Sequence, residues 1–389
     1  MLVPLPDAVA STCGAKAAHL ATLLRAGLPV PAGVVVPFAR DTDATLRDDL
    51  RAALAHLGGG PVAVRSSARG EDGADASGAG QHETVLAVRG ADAVLDAVRA
   101  CRASLWSPRA RAYREAARSP DEPAMAVLVQ RLVDADVAGV AFTPDDPGED
   151  VLVDAAWGLG VGVVGGTVTP DAYRLAADGT VTCVVADKRT RVDRSGAETV
   201  VRDVPTADRA RRTLDEDDVR RIAALARRAA DALGRAQDVE WALAGGVPWV
   251  LQARPVTAAP PRPPAAGRTG GAAAARPSPA TLVGPLVGTP GSRGTATGPV
   301  RVVRGPADFA RVRPGDVLVC PWTDPSWTPL LGVVAGVVTE TGGLLSHAAI
   351  VARERGVPAV LGVTDATRRL RDGALVTLDG AAGTVVPHP

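Results

Sequence analysis

A histidine in the first turn of a helix has two properties that suit phosphoryl chemistry. Its neutral ring is nucleophilic near pH 7, and the free backbone N–H groups around it favour an anion. His347 has that setting in residues 338–363, VTETGGLLSHAAIVARERGVPAVLGV. Thr339–Gly343 read as a turn with paired glycines, Ser346 as a helix cap and Gly356 as the helix end. A phosphate carried on the imidazole would be stabilised there. An isolated Ser-His pair equally fits an ordinary capping-region histidine, so the rest of the chain has to decide.

Three further segments offer phosphate or cation chemistry. Lys16 lies just after a glycine at the start of a helix read over 17–26, where an ammonium can meet a phosphate already drawn by the helix dipole. Residues 62–84, VAVRSSARGEDGADASGAGQHET, read as a strand ending in Arg65 that opens into a Gly/Ser/Ala loop. Such a loop lets backbone N–H groups approach a polyphosphate while Arg65 supplies fixed charge. Residues 237–257, QDVEWALAGGVPWVLQARPVT, read as two strands, with Glu240 ending the first and Gln252 and Arg254 sharing one face of the second. The Glu240 and Gln252 oxygens suit Mg²⁺, and Arg254 can neutralise a phosphoryl group. Gln237 and Asp238 read equally well as solvated turn residues. Each segment alone also fits a solvated lysine, a surface loop or a polar hairpin.

These residues need elements to hold them. The chain has 389 residues, enough for two or three domains. Short apolar runs at 62–64, 125–133, 151–153 and 249–256 read as strands. Residues 217–233 read as an amphipathic helix with Val219, Ile222, Leu225, Ala229 and Leu233 in one stripe. Residues 258–281, AAPPRPPAAGRTGGAAAARPSPAT, hold almost nothing that could enter a core and have the composition of an extended tether. Beyond them, β-rich flanks at 298–303, 316–320 and 374–378 enclose the His347 helix. The expectation is an α+β multidomain chain, with residues 1–257 as one domain, 258–281 as linker and 282–389 as a small mixed domain.

Composition narrows the partners. The chain is 46% apolar, 22% charged and formally neutral, with no basic excess to suggest nucleic acid. No apolar run approaches the ~18 residues of a membrane span, and MLVPLPDAVA does not read as a signal peptide, so a cytoplasmic setting is expected. Cys13, Cys101, Cys183 and Cys320 are scattered and suggest neither a zinc site nor a disulfide framework. Of 43 basic residues only Lys16 and Lys188 are lysines, which draws attention to both.

Taken together, GAKAAHLATLLRAGLPVPAG, AVRSSARGEDGADASGAGQHET, LWSPRARAYRE, MAVLVQRLVDADVAGVAFTPD, AAWGLG, QDVEWAL, LQARPVT and TGGLLSHAAIVARERGVPAVLGV occur in an order that resembles the phosphoenolpyruvate synthase / pyruvate phosphate dikinase family, which includes the rifampin phosphotransferases. The resemblance covers nearly the whole chain apart from the tether. It implies an ATP-grasp-like nucleotide-binding domain joined to a swivelling phosphohistidine domain. By motif position it implies that Lys16 and Arg65 hold ATP phosphates under a loop containing Gly80 and Thr84, and that Gln130 lies near adenine. Glu240 and Gln252 would coordinate Mg²⁺, Arg254 would contact the transferred group, and His347 would take up the β-phosphoryl of ATP, leaving AMP. The tether then fits a histidine that must visit an ATP site and an acceptor site.

Departures from the family pattern shape the rest of the expectation. The family's acceptor domain has no counterpart in residues 1–389, so the phosphoryl acceptor is expected either on a separate subunit, the favoured reading, or as a small molecule held between the two domains. The family's GLGE becomes Gly158–Val161, and Gly78 replaces an aromatic. The alternative is a non-catalytic ATP-binding regulatory module derived from a dikinase; a phosphocarrier fed by phosphoenolpyruvate is a third reading.

Overall fold

The computed structural model describes residues 1–69, 84–107, 110–111, 122–146, 148–258 and 284–388. Gly80 and the expected linker, apart from residue 258, lie outside them. Residues Met1–Val164 and Pro170–Thr257 form one compact unit; Gly165–Thr169 and the described residues from 258 onward form a second.

The first unit is built on two antiparallel sheets. Strands β1 (Val3–Pro4), β2 (Gly33–Val36), β3 (Val62–Ala68), β4 (Thr84–Val88) and β5 (Met125–Arg131) form the first, in the order β1-β2-β5-β3-β4. Helices α1 (Ala10–Arg25), α2 (Ala44–His56) and α3 (Ala91–Ser104) accompany it. Strands β6 (Val137–Phe142), β7 (Val151–Trp157), β8 (Asp171–Leu175), β9 (Val181–Val184), β12 (Gln237–Ala244) and β13 (Val247–Pro255) form the second, in the order β13-β12-β6-β7-β8-β9. A separate hairpin pairs β10 (Thr190–Ser195) with β11 (Glu198–Asp203). Helix α4 (Glu216–Leu233) is the expected amphipathic helix. Asp215 caps it by accepting from the Asp218 N–H, and Gly234 ends it at φ +76°.

Alternation along β3 explains how one strand serves both a core and a site. Val62, Val64 and Ala68 enter a core with Leu46 and Leu50 of α2 and Val94 and Val98 of α3. Arg65 and Ser67 therefore project from the opposite face. A second core joins Ala17, Leu20 and Leu23 of α1, Val219 and Ile222 of α4, and Val239, Trp241, Val250 and Ala253 from β12 and β13. The sequence placed the end of β3 at Arg65; the strand runs on to Ala68 because the β5 ladder continues to the Ala68–Met125 pair.

The second unit holds an eight-stranded sheet in the order β14-β21-β20-β16-β17-β18-β19-β15. Its strands are β14 (Leu286–Val287), β15 (Thr289–Ser292), β16 (Thr295–Val302), β17 (Val317–Cys320), β18 (Gly336–Thr339), β19 (Ala359–Leu361), β20 (Leu375–Asp379) and β21 (Thr384–Pro387). Strands β16, β17, β18 and β19 run parallel, and helix α5 (His347–Glu354) makes the crossover from β18 to β19. The mixed α/β, multidomain class expected from the sequence is the class observed.

Candidate active site

Helix α1 is broken at Gly14, where φ +78° and ψ +164° depart from helical values. The break lets the chain press against β3: a Cβ on Gly14 would lie 2.3 Å from the Ser67 carbonyl oxygen. Ser67 fastens the junction, its Oγ donating to the Cys13 carbonyl at 2.8 Å and accepting from the Ala17 N–H at 3.2 Å. Lys16 is thereby set at the start of the regular part of α1. It is buried, and its Nζ donates to the Ser66 carbonyl at 3.0 Å, next to Arg65.

Arg65 reaches from the first sheet to the second. Its guanidinium donates to Glu240 Oε2 at 3.1 Å, to Gln252 Oε1 at 2.5 Å and to the Leu251 carbonyl. These acceptors converge because of a β-bulge. Glu240 pairs with Gln252, but Trp241 pairs with Val250, so Leu251 is an extra residue in β13. In an unbroken strand Val250 and Gln252 would share one face. The bulge lets Val250 enter the core while Gln252 stands beside Glu240 and Leu251 turns its carbonyl to Arg65.

Two residues along, Asp238 pairs with Arg254 across the same ladder. The carboxylate Oδ2 accepts from Arg254 Nε at 2.8 Å and from its Nη2 at 2.7 Å, with both side chains almost fully buried. Each arginine thus has a carboxylate neighbour: Glu240 for Arg65, Asp238 for Arg254. The sequence reading left Asp238 and Gln237 as solvated turn residues. Both are buried, because β12 begins at Gln237 and pairs with β13 on one side and β6 on the other. For the same reason Glu240 lies in the middle of β12 rather than at its end.

Gln130 shares a sheet face with Arg65, since it pairs with Ala63 and Arg65 lies two residues on. It is buried, and its Nε2 donates to the Pro31 carbonyl at 2.8 Å. Thr84 opens β4 as the ladder partner of Arg65 and is exposed. Gly80 lies outside the described residues. The structure thus joins Lys16, Arg65, Glu240, Gln252 and Arg254 in one contiguous set with Asp238. A carboxylate and an amide oxygen side by side are hard donors. They suit Mg²⁺, which takes few protein ligands and keeps waters and phosphate oxygens.

Lys188, the other lysine, is fully buried with Asp171 at 2.6 Å. Asp171 also accepts from the Ala186 and Thr213 N–H groups. Burial beside this carboxylate raises the Tyr173 phenol well above its ordinary value. This network braces β8 and is structural.

In the second unit His347 is the first residue of α5 and is buried. Thr323 Oγ1 lies 2.9 Å from its Nδ1 and Thr328 Oγ1 lies 3.3 Å from its Nε2. A hydroxyl donates or accepts, so either neutral tautomer is satisfied. Both threonines come from the loop after β17, and His347 follows β18. These parallel neighbours deliver their C-terminal ends to one edge, where open α/β sheets place their ligands. Ser346 is the cap residue by position, but its hydroxyl donates to the Gly343 carbonyl at 2.9 Å instead of accepting from the helix. Gly356, at φ +64°, ends the helix as expected. The sequence reading missed Thr323 and Thr328; hydroxyls flanking a proline turn in 321–329, PWTDPSWTP, were the available signal.

Among the described residues no helix is long and apolar enough to cross a membrane. Residues 38–268 match the family described as pyruvate phosphate dikinase, AMP/ATP-binding domain, and residues 312–383 match the PEP-utilising enzyme, mobile domain. A probable phosphoenolpyruvate synthase from Methanothermobacter thermautotrophicus is 38% identical over 83% of this chain and 46% of its own length. The phosphoenolpyruvate synthase of Escherichia coli is 36% identical over 93% of this chain and 47% of its own length. The chain therefore spans about half the length of the curated relatives it matches. Among solved structures, a D-alanine–D-alanine ligase from Bacillus anthracis aligns over 64% of this chain and 58% of its own at 11% identity, with a TM-score of 0.31 too low to carry a fold argument. By its matches over both units, the chain belongs to the pyruvate phosphate dikinase / phosphoenolpyruvate synthase family.

Proposed function

We propose that the chain is the ATP-using half of a dikinase-type phosphotransferase. A ring nitrogen of His347 attacks the β-phosphorus of ATP, the bond from that phosphorus to the oxygen bridging to the α-phosphorus breaks, and AMP leaves. The γ-phosphoryl then departs to water as orthophosphate or to phosphate as pyrophosphate. The β-phosphoryl passes from His347 to a small-molecule acceptor, held on a separate subunit. The cytoplasmic setting expected from the sequence accords with ATP as donor.

In this reading Lys16 and Arg65 hold nucleotide phosphates beneath the loop of Gly80 and Thr84, Gln130 lies near adenine, and Arg254, held by Asp238, faces the transferred group. Glu240 and Gln252 would hold Mg²⁺, which when bound neutralises charge on the phosphate oxygens. Transfer through a loose transition state asks mainly for positioning and charge neutralisation, and these side chains supply both. The observation that carries the reading is His347 itself. The hydroxyls on its two ring nitrogens hold the imidazole at the helix N-terminus, where a phosphoryl group carried on it would meet free backbone N–H groups.

The test is incubation of the chain with Mg²⁺ and ATP labelled at the β-phosphate, followed by intact-mass analysis and measurement of AMP. Label on the wild type but not on His347→Ala, with AMP released, is the expected result. Bound ATP without label would leave the regulatory-module reading in its place. A labelled chain that phosphorylates a small molecule unaided would remove the separate subunit.

A further inference from the structure

The Arg65 guanidinium occupies the oxygens to which the proposed function assigns the divalent cation. One terminal nitrogen, Nη2, donates to both Glu240 Oε2 at 3.1 Å and Gln252 Oε1 at 2.5 Å, and the other donates to the Leu251 carbonyl. The Arg65 side chain is 10% exposed and that of Glu240 17%. Ions so far removed from water need a counter-charge, since an unpaired one bears most of its desolvation penalty. We infer that Arg65 is a built-in counter-ion that fills the cation position of the nucleotide-free protein, so that metal and nucleotide phosphate each favour the other's entry to this site.

The argument is one of charge. Before any ligand arrives, Arg65 and Glu240 neutralise each other, as Arg254 and Asp238 do. A phosphate that draws Arg65 away leaves Glu240 uncompensated, and a divalent cation restores the balance. A cation arriving alone must displace Arg65 and leave that guanidinium unpaired. Each ligand thus removes the cost of admitting the other, which is positive coupling; coupling between sites is typically about 5- to 150-fold. This rests on the proposed function in assigning nucleotide phosphate to Arg65, but the metal half depends only on the observed contacts.

Mn²⁺ is a suitable probe because its binding to the nucleotide-free chain is read directly by electron paramagnetic resonance. Wild type is expected to bind it weakly. Arg65→Gln, which removes the resident charge, is expected to bind it about tenfold or more tightly, and Arg65→Lys to stay close to wild type. Adding Glu240→Gln to Arg65→Gln should abolish the gain. Tight Mn²⁺ binding by wild type, or no gain in folded Arg65→Gln, overturns the inference. A reciprocal variant covers the case in which Arg65→Gln does not fold. Glu240→Gln releases Arg65 and should tighten binding of metal-free ATP, measured in EDTA, several-fold; unchanged or weaker binding counts against the counter-ion. If wild type binds no nucleotide under any condition, the proposed function fails, while the Mn²⁺ measurements still decide this inference.

Discussion

Asp238→Asn tests the reasoning about the ladder most directly. The carboxylate receives two hydrogen bonds from Arg254, and the two side chains are 8% and 6% exposed. Removing its charge leaves a guanidinium with little water to replace the lost partner. Breaking a buried pair from one side costs about 3–5 kcal/mol. For a unit of roughly this size, 1 kcal/mol moves the melting temperature by about 2–4 °C, so the expected fall is about 6–20 °C. Replacing both members with apolar residues of similar volume, Asp238→Leu with Arg254→Met, should recover most of that loss, because no charge is then left unpaired. The assay is differential scanning calorimetry of the whole chain. Its transitions are fitted separately, since a chain of two units need not unfold in one step. The reasoning fails if Asp238→Asn melts within about 2 °C of wild type, or if the double variant loses as much as the sum of the single variants.

Two other outcomes follow from the same unit. Gly14→Ala should destabilise it and weaken ATP binding together. An L-residue held at φ +78° and ψ +164°, a region essentially confined to glycine, costs about 1–3 kcal/mol, and the new Cβ would also drive Ser67 and Lys16 out of place; unchanged melting and ATP affinity would contradict the docking role assigned to the break in α1. His19 is held below its ordinary value of 6.5 by burial, partly offset by its bond to the Ala253 carbonyl. A depressed histidine contributes stability that is fully present above about pH 6.5. That contribution is lost as the pH falls from there toward the folded value, because the unfolded chain then binds the extra proton. Melting curves from pH 7.5 down to 5 should therefore show a steeper acid-side loss for wild type than for His19→Asn, and parallel curves would refute the assignment.

How much of this was legible beforehand depends on how local the signal is. The helix at Glu216–Leu233 was readable to within a residue, because its apolar period, acidic first turn and terminal glycine all lie in one continuous stretch. The shared face of Gln252 and Arg254 followed from strand alternation alone, and the start of α5 at His347 from the turn before it. Arg65 and Lys16 were visible as charges beside glycines, though not what they would touch.

The remainder was decided by contacts between segments far apart in the chain. Asp238 looks like a turn carboxylate in QDVEW, and only the β6 and β13 ladders on either side bury it against Arg254. The bulge at Leu251 has no meaning in a single strand; it exists as a mismatch between two registers, and it delivers three oxygens to one guanidinium. Arg65 and Glu240 stand 175 residues apart, and Thr323 meets His347 because β17 and β18 run parallel. Periodicity and capping are short-range properties of a chain, so the sequence determined which elements form and which face of each is polar. Register and burial arise only when strands from distant segments pair, so the tertiary structure alone decided which polar groups share a desolvated space and must neutralise one another.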